Sequence, residues 1–152
     1  MDKPPIERIV VATDFSEGSD AAMERAFALA RALGASLDLV HVLDTALLAA
    51  PASLGGMPLV DPEPLMNQID IALAARVAKA TEAGLRCQSS SLDGYPAKEI
   101  VRHAEKTGAD LIVIGTHGRT GIAHVIMGSV AQRVVQRASC PVLVVPPERE
   151  PN

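Results

Sequence analysis

Apolar residues along this chain follow two rhythms. Short continuous runs, Ile9-Val10-Val11-Ala12 within Ile6 to Ala12 and Leu111-Ile112-Val113-Ile114, read as buried strands, as does Pro141 to Val145, which Pro146-Pro147 closes. Leu37 to Leu43 is a further strand, and Leu85 to Leu92 is polar enough to lie at a sheet edge. Between these runs the spacing becomes helical. Ser16 or Ser19 can cap a helix that places Ala22, Met23, Ala26, Phe27, Ala30 and Leu33 at helical spacing up to Gly34. A second helix, about Leu65 to Ala83, sets Leu65, Ile69, Leu73, Val77 and Ala80 on one face, with Gly84 just past its end. After the turn Asp93-Gly94-Tyr95-Pro96, a third helix starts at Pro96, carries Ile100, Val101 and Ala104, and stops at Gly108. A fourth, capped by Ser129, has Val130, Val134, Val135 and Ala138 at packing positions.

Strand and helix thus alternate through the whole chain, which predicts an α/β fold with a doubly wound, five-stranded parallel sheet and helices on both faces. The sequence is expected to form a single domain over residues 1–152. One stretch breaks the alternation. Residues 44–64 hold Pro51, Pro58, Pro62, Pro64 and Gly55-Gly56, a long loop of the kind that serves as lid, contact surface or disordered segment. Its Leu47, Leu48, Leu54, Met57, Leu59 and Val60 favour some burial against the domain or another chain.

Composition narrows the function. Aromatic residues make up only 2% of the chain and the net charge is −4, so stacking platforms and a basic surface for nucleic acid are both missing. The charge is uneven, however: Leu111 to Pro147 contains no Asp or Glu but includes Arg119, Arg133 and Arg137. Cys87 and Cys140 have no metal or disulfide spacing and read as buried or idle thiols of a reducing compartment. With no leader-like N-terminus and no apolar run of about 18 residues, a cytoplasmic location and no membrane partner are expected.

The acid-free segment also carries the candidate chemistry. Gly115-Thr116-His117-Gly118, nine residues, and then Gly128-Ser129 follow a strand and open a helix. Glycines leave backbone N–H groups unshielded, and a helix start adds donors at the positive end of its dipole, so the pattern suits anionic phosphate oxygens. It is neither a Walker loop nor Gly-x-Gly-x-x-Gly, since position 117 is His. With strand order 3-2-1-4-5 the topological switch lies between the first and fourth strands, where ligands of doubly wound sheets bind. Thr13-Asp14 ends the first strand and Gly115 ends the fourth, so two separate polar signals meet in one crevice. Each residue has a plainer alternative. Asp14 and Ser129 can act as helix caps, Gly118 and Gly128 can simply permit a loop, and His117 can shape that loop. Arg119 suits a phosphate clamp, Arg133 and Arg137 suit a solvated face, and His41 and His124 have no better case than a structural one.

Val11-Ala12-Thr13-Asp14-Phe15-Ser16, His41-Val42, the Gly115 to Ser129 motif and Cys140-Pro141-Val142-Leu143-Val144-Val145 together resemble the universal stress protein family over nearly the whole chain. That family has an ATP-binding branch marked by Gly-x-x-Gly, nine residues and Gly-Ser or Gly-Thr, and a branch without the motif that does not bind ATP. The motif here matches the first branch in full. Many relatives carry proline before the Thr-Asp pair, where Ala12 stands in this chain. The resemblance implies ATP, with Mg, as cofactor. It places Thr13 and Asp14 beside the nucleotide, with Asp14 near the ribose or a phosphate-bound metal, and Val42 at the adenine. Gly115, Gly118, Gly128 and Ser129 would wrap ribose and phosphates, with His117, Arg119 and Val130 adjacent. It also implies a homodimer through the C-terminal strand, Cys140 to Val145, which is otherwise an exposed sheet edge.

Three function classes follow: an ATP-binding regulatory module of the stress response, a weak ATPase or phosphotransferase on the same site, and an interaction protein with a vestigial or cyclic-AMP-binding pocket. The first is favoured. The glycine motif is complete, while the chain has no P-loop lysine and no carboxylate in the glycine loop to orient water. No residue is assigned a catalytic role and no protein metal site is expected.

Overall fold

The computed structural model of the chain describes residues 5–46, 63–116 and 127–148. In chain order the elements are β1 (Arg8–Ala12), α1 (Glu17–Leu33), β2 (Ser36–Asp44), α2 (Glu63–Glu82), β3 (Cys87–Gly94), α3 (Pro96–Thr107), β4 (Leu111–Gly115), α4 (Ser129–Arg137) and β5 (Val142–Val145). The five strands form one parallel sheet in the order β3-β2-β1-β4-β5, as the alternation predicted. The register aligns Ile9 with Leu37 on one side and Leu111 on the other, so the apolar runs lie side by side at the centre. The polar strand β3 is at an edge, and β5 forms the other.

Because side chains alternate across a strand, a continuous apolar run supplies both faces of the sheet. Ile9, Val11, Leu37, Leu39, Leu111 and Val113 pack against Ala22, Met23, Ala26 and Phe27 of α1 and Ile69 and Leu73 of α2. Val10, Val40, Val42, Ile112 and Ile114 pack against Ile100, Val101 and Ala104 of α3 and Ala131 and Val134 of α4. Helices therefore cover both faces, α1 and α2 on one and α3 and α4 on the other. Helices α1 and α3 end on glycines in the left-handed region, Gly34 at φ 70° and Gly108 at φ 66°, a conformation open to glycine without a Cβ clash.

Helical spacing overreached at the ends of the stripes. Leu33, Leu65 and Val135 are exposed. Most of the 44–64 loop falls outside the described residues. The α3 face of the sheet also holds a charge. Asp38 in mid-β2 is only 8% exposed. His103 donates through Nε2 to its Oδ2 at 2.7 Å, and the Ser90 hydroxyl donates to its Oδ1 at 3.2 Å. These partners offset the cost of removing the carboxylate from water.

Candidate functional site

The helices leave β1 and β4 toward opposite faces, and the chain opens there into a cavity of about 810 Å3. Apolar walls come from Val40 and Val42 of β2, Leu65, Ile69 and Ala72 of α2, and Pro96 and Ile100 of α3. Ala12 and Ile114 line it from the ends of β1 and β4. Its polar groups gather on Thr13, Asp14 and Ser19 on one side and Thr116, Gly128 and Ser129 on the other, with His41, Asp44 and Gln68 also lining it.

Side chains build the β1–α1 connection. The Ser16 hydroxyl, as N-cap, accepts from the Ser19 N–H at 3.2 Å, while the Ser19 hydroxyl donates back to the Ser16 carbonyl at 2.9 Å. Asp14 is not the cap. Its Oδ1 accepts the Ser16 N–H at 3.0 Å and the Ser16 hydroxyl, so the carboxylate is fixed two residues ahead of the N-cap. The Thr13 Oγ1 accepts the Phe15 N–H at 3.1 Å, and the His41 ring contacts the Thr13 carbonyl through Nδ1 at 2.9 Å. Glu17 and Asp20 add negative charge to the first turn of α1, which opposes the positive end of that helix.

The β4–α4 connection relies on backbone. The Gly128 N–H donates to the Thr116 carbonyl at 2.5 Å, and the Thr116 N–H donates to the Val145 carbonyl at 3.0 Å. Gly128 is the N-cap of α4 and supplies no side-chain bond, and the first turn of α4 contains no acidic residue. Ser129, expected as the cap, is instead the first helical residue, because the extended backbone of Gly128 (φ −69°, ψ 160°) already closes the turn. The opening N–H groups of a helix have no intrahelical partners, and here Gly128, Ser129, Val130 and Ala131 present that end to the cavity. Gly115 serves a second purpose. A Cβ there would sit 2.9 Å from the Gly18 carbonyl oxygen, so its lack of a side chain lets α1 approach the end of β4.

Thr13, Asp14, Val42, Gly115, Gly128, Ser129 and Val130 thus line one cavity, while His117, Gly118 and Arg119 lie outside the described residues. Sequence reading gave His41 a structural place at most, named Phe15 without a role, and did not single out Arg76. Phe15 adopts φ 64° and stacks on His41 with ring centroids 4.6 Å apart, and the Arg76 guanidinium lies 4.9 Å from the Phe15 centroid. An aromatic residue directly after Thr13-Asp14, in a chain with only two phenylalanines, was the available signal. Among the described residues no group of three or more His, Cys, Asp and Glu is placed to hold a metal ion. Neither are the thiols poised for chemistry. Burial, with the Asp38 charge, pushes Cys87 up to about 11, and burial also raises Cys140. No helix among the described residues is long and apolar enough to cross a membrane.

Comparison with known proteins places this geometry in context. Residues 5–146 match the model of the universal stress protein family. Universal stress protein MJ0531 of Methanocaldococcus jannaschii is 39% identical over 139 residues, covering 91% of this chain and 81% of that protein. Universal stress protein YxiE of Bacillus subtilis is 34% identical over 146 residues, covering 91% and 97%. Among solved structures, protein MJ0577 superposes with a TM-score of 0.78 at 26% identity, covering 95% of this chain and 99% of that one. A universal stress protein in complex with cAMP gives 0.70 at 27% identity, covering 95% and 100%. The Archaeoglobus fulgidus universal stress protein in complex with dAMP gives 0.67 at 26%, covering 91% and 97%. The matched span, the shared strand order and these identities agree, and the chain belongs to the universal stress protein family.

Proposed function

We propose that this chain is an ATP-binding regulatory module of the stress response, with the nucleotide in the cavity between the ends of β1 and β4. The observation that carries the reading is the start of α4, which opens on that cavity with no side-chain cap and no acid in its first turn. Such a helix end attracts anionic oxygens. A cavity of about 810 Å3 lies within the size range of small-molecule sites, and its apolar walls suit a base. The relatives bound to cAMP and dAMP support an adenine nucleotide, and the complete Gly115 to Ser129 motif supports the ATP-binding branch.

In this reading Gly115, Gly128, Ser129 and Val130 hold phosphate and ribose, Val42 borders the adenine, and Thr13 and Asp14 face the ribose or a metal-bound water. His117, Gly118 and Arg119 complete the phosphate side by their place in the motif. Mg fits as a passenger on the phosphates, with Asp14 the nearby carboxylate, since Mg keeps several waters and needs few protein ligands. The half-buried Val142, Leu143 and Val144 at the β5 edge support pairing with a second copy. Binding without sustained turnover is expected, because the glycine motif offers anion donors but no carboxylate to orient water.

The test is to heat purified protein and identify the released nucleotide by mass, then to follow the thermal midpoint with Mg-ATP, ADP, AMP and cyclic AMP. A co-purified adenine nucleotide and a midpoint raised most by Mg-ATP support the proposal. A larger rise with cyclic AMP moves the chain to the cyclic-nucleotide reading, and no rise with any of them overturns nucleotide binding. Light scattering of Leu143→Lys addresses the dimer: monomers support the β5 interface, and an unchanged dimer mass refutes it.

A further inference from the structure

We infer that Arg76 is a positioning residue for the β1–α1 turn, acting through Phe15 to set Asp14 at the rim of the cavity. The inference rests on the nucleotide reading above and deepens it. Phe15 is the one described residue other than glycine with a positive φ, 64°, a region that bulky side chains rarely occupy. Tertiary contacts must hold such a conformation. The Phe15 N–H is held by Thr13 Oγ1, and its ring is stacked on His41 with 25° between planes. Arg76 of α2 adds a second contact to that of His41 in β2, with its guanidinium 4.9 Å from the ring centroid.

Arg76 is itself fixed. Nε and Nη2 donate to Asp20 Oδ1 at 3.1 and 2.9 Å, and Nη1 donates to the Ala72 carbonyl at 3.2 Å. The planar fork is thereby anchored both to the first turn of α1 and to its own helix. Asp14 lies directly between Thr13 and Phe15, so rotation of Phe15 to an ordinary backbone conformation would re-aim the carboxylate that Ser16 now steadies. Helix α2 has a second connection to the site, since its Leu65, Ile69 and Ala72 line the same cavity. One helix therefore both walls the cavity and steadies the turn opposite α4.

The opposing possibility is that Arg76 only ties α2 to α1 through Asp20. A double-mutant cycle on Mg-ATP affinity, measured by titration calorimetry, separates the two. Glycine takes φ 64° without strain, so Phe15→Gly removes both the ring that Arg76 contacts and the need for a contact to hold the turn. Arg76→Ala should weaken Mg-ATP binding about fivefold in the wild-type background and less than about twofold in the Phe15→Gly background. Equal losses in both backgrounds, or no loss in the first, overturn the inference. Amide exchange on the nucleotide-free protein gives an independent reading. Arg76→Ala should speed exchange at Phe15 and Ser16 several-fold while core strand amides stay protected, and unchanged exchange at both also overturns it. Wild-type protein that binds no Mg-ATP would refute the nucleotide reading instead, and the exchange result would then decide the role of Arg76 in the turn.

Discussion

Of the helices whose first turns line the cavity, α1 and α4 begin in opposite ways. Helix α1 is closed by its own residues: Ser16 caps it, Ser19 bonds back, and Glu17 and Asp20 offset its dipole. Helix α4 starts on Gly128 with no side-chain cap and no acid in its first turn. Because the positive end of a helix is worth stabilising from either direction, the one completed internally has little left to offer an anion. The other has neither a side-chain cap at Gly128 nor an acid in its first turn to do the same. On the proposed nucleotide reading, the contrast would give the two sides of the cavity different work, phosphate at α4 and hydroxyl or metal-bound water at the Thr13–Asp14 side, which a fold with two equivalent helix ends would not specify.

The largest perturbation should fall on the point where the two sides touch. Gly115→Val would force side-chain atoms against the Gly18 carbonyl, and overpacking against backbone costs about 3 kcal/mol. For a chain of this size that lowers the midpoint by roughly 10 °C. Calorimetry showing a change of less than about 2 °C would mean that α1 and β4 are not pressed together as described.

Next in size is Asp14→Ala. Loss of one hydrogen bond to ribose or metal-bound water should weaken Mg-ATP binding about tenfold, near 1.5 kcal/mol. The protein should also lose some stability, because Asp14 steadies Ser16. A variant that loses stability yet binds Mg-ATP as tightly as wild type would confine Asp14 to the turn.

Ser129→Asp sharpens the contrast by giving α4 the acid that α1 already has. The helix should gain a few tenths of a kcal/mol from the dipole, while repulsion should cost about tenfold in nucleotide affinity. Opposite signs for stability and binding are the expected outcome, and equal or improved Mg-ATP affinity would place the phosphates elsewhere.

The smallest effects should come from serine-to-alanine changes at the two starts. Ser16→Ala should cost about 1 kcal/mol of stability through the lost cap. Ser129→Ala should leave denaturant midpoints unchanged within error, since Ser129 makes no cap. If both variants lose the same stability, the two helix starts are alike and the contrast fails.

Local pattern made most of the fold legible. The continuous runs at Ile9 to Ala12 and Leu111 to Ile114 are central strands because residues buried on both faces need no polar alternation. Gly34 and Gly108 end helices, where the left-handed turn must follow. The shared place of Thr13, Asp14, Gly115 and Gly128 at one cavity was legible too, since strand order brings the ends of β1 and β4 together. The cap of α4 was not. A serine after glycine reads as an N-cap by composition, whereas the choice between Gly128 and Ser129 depends on where the chain leaves β4 and bonds to Thr116.

What the sequence by itself determined is which segments are strands and helices, which faces are apolar and where the acid-free glycine motif begins. These follow from spacing within a few residues, and a period survives in one dimension. Only the tertiary structure decided that Gly115 must be bare for Gly18, that Asp38 finds His103 65 positions away, and that Arg76 grips Asp20 across 56 positions beside Phe15. Each of those depends on sheet order, register and helix placement acting together, because contacts between distant segments are fixed by how the layers stack and leave no period along the chain.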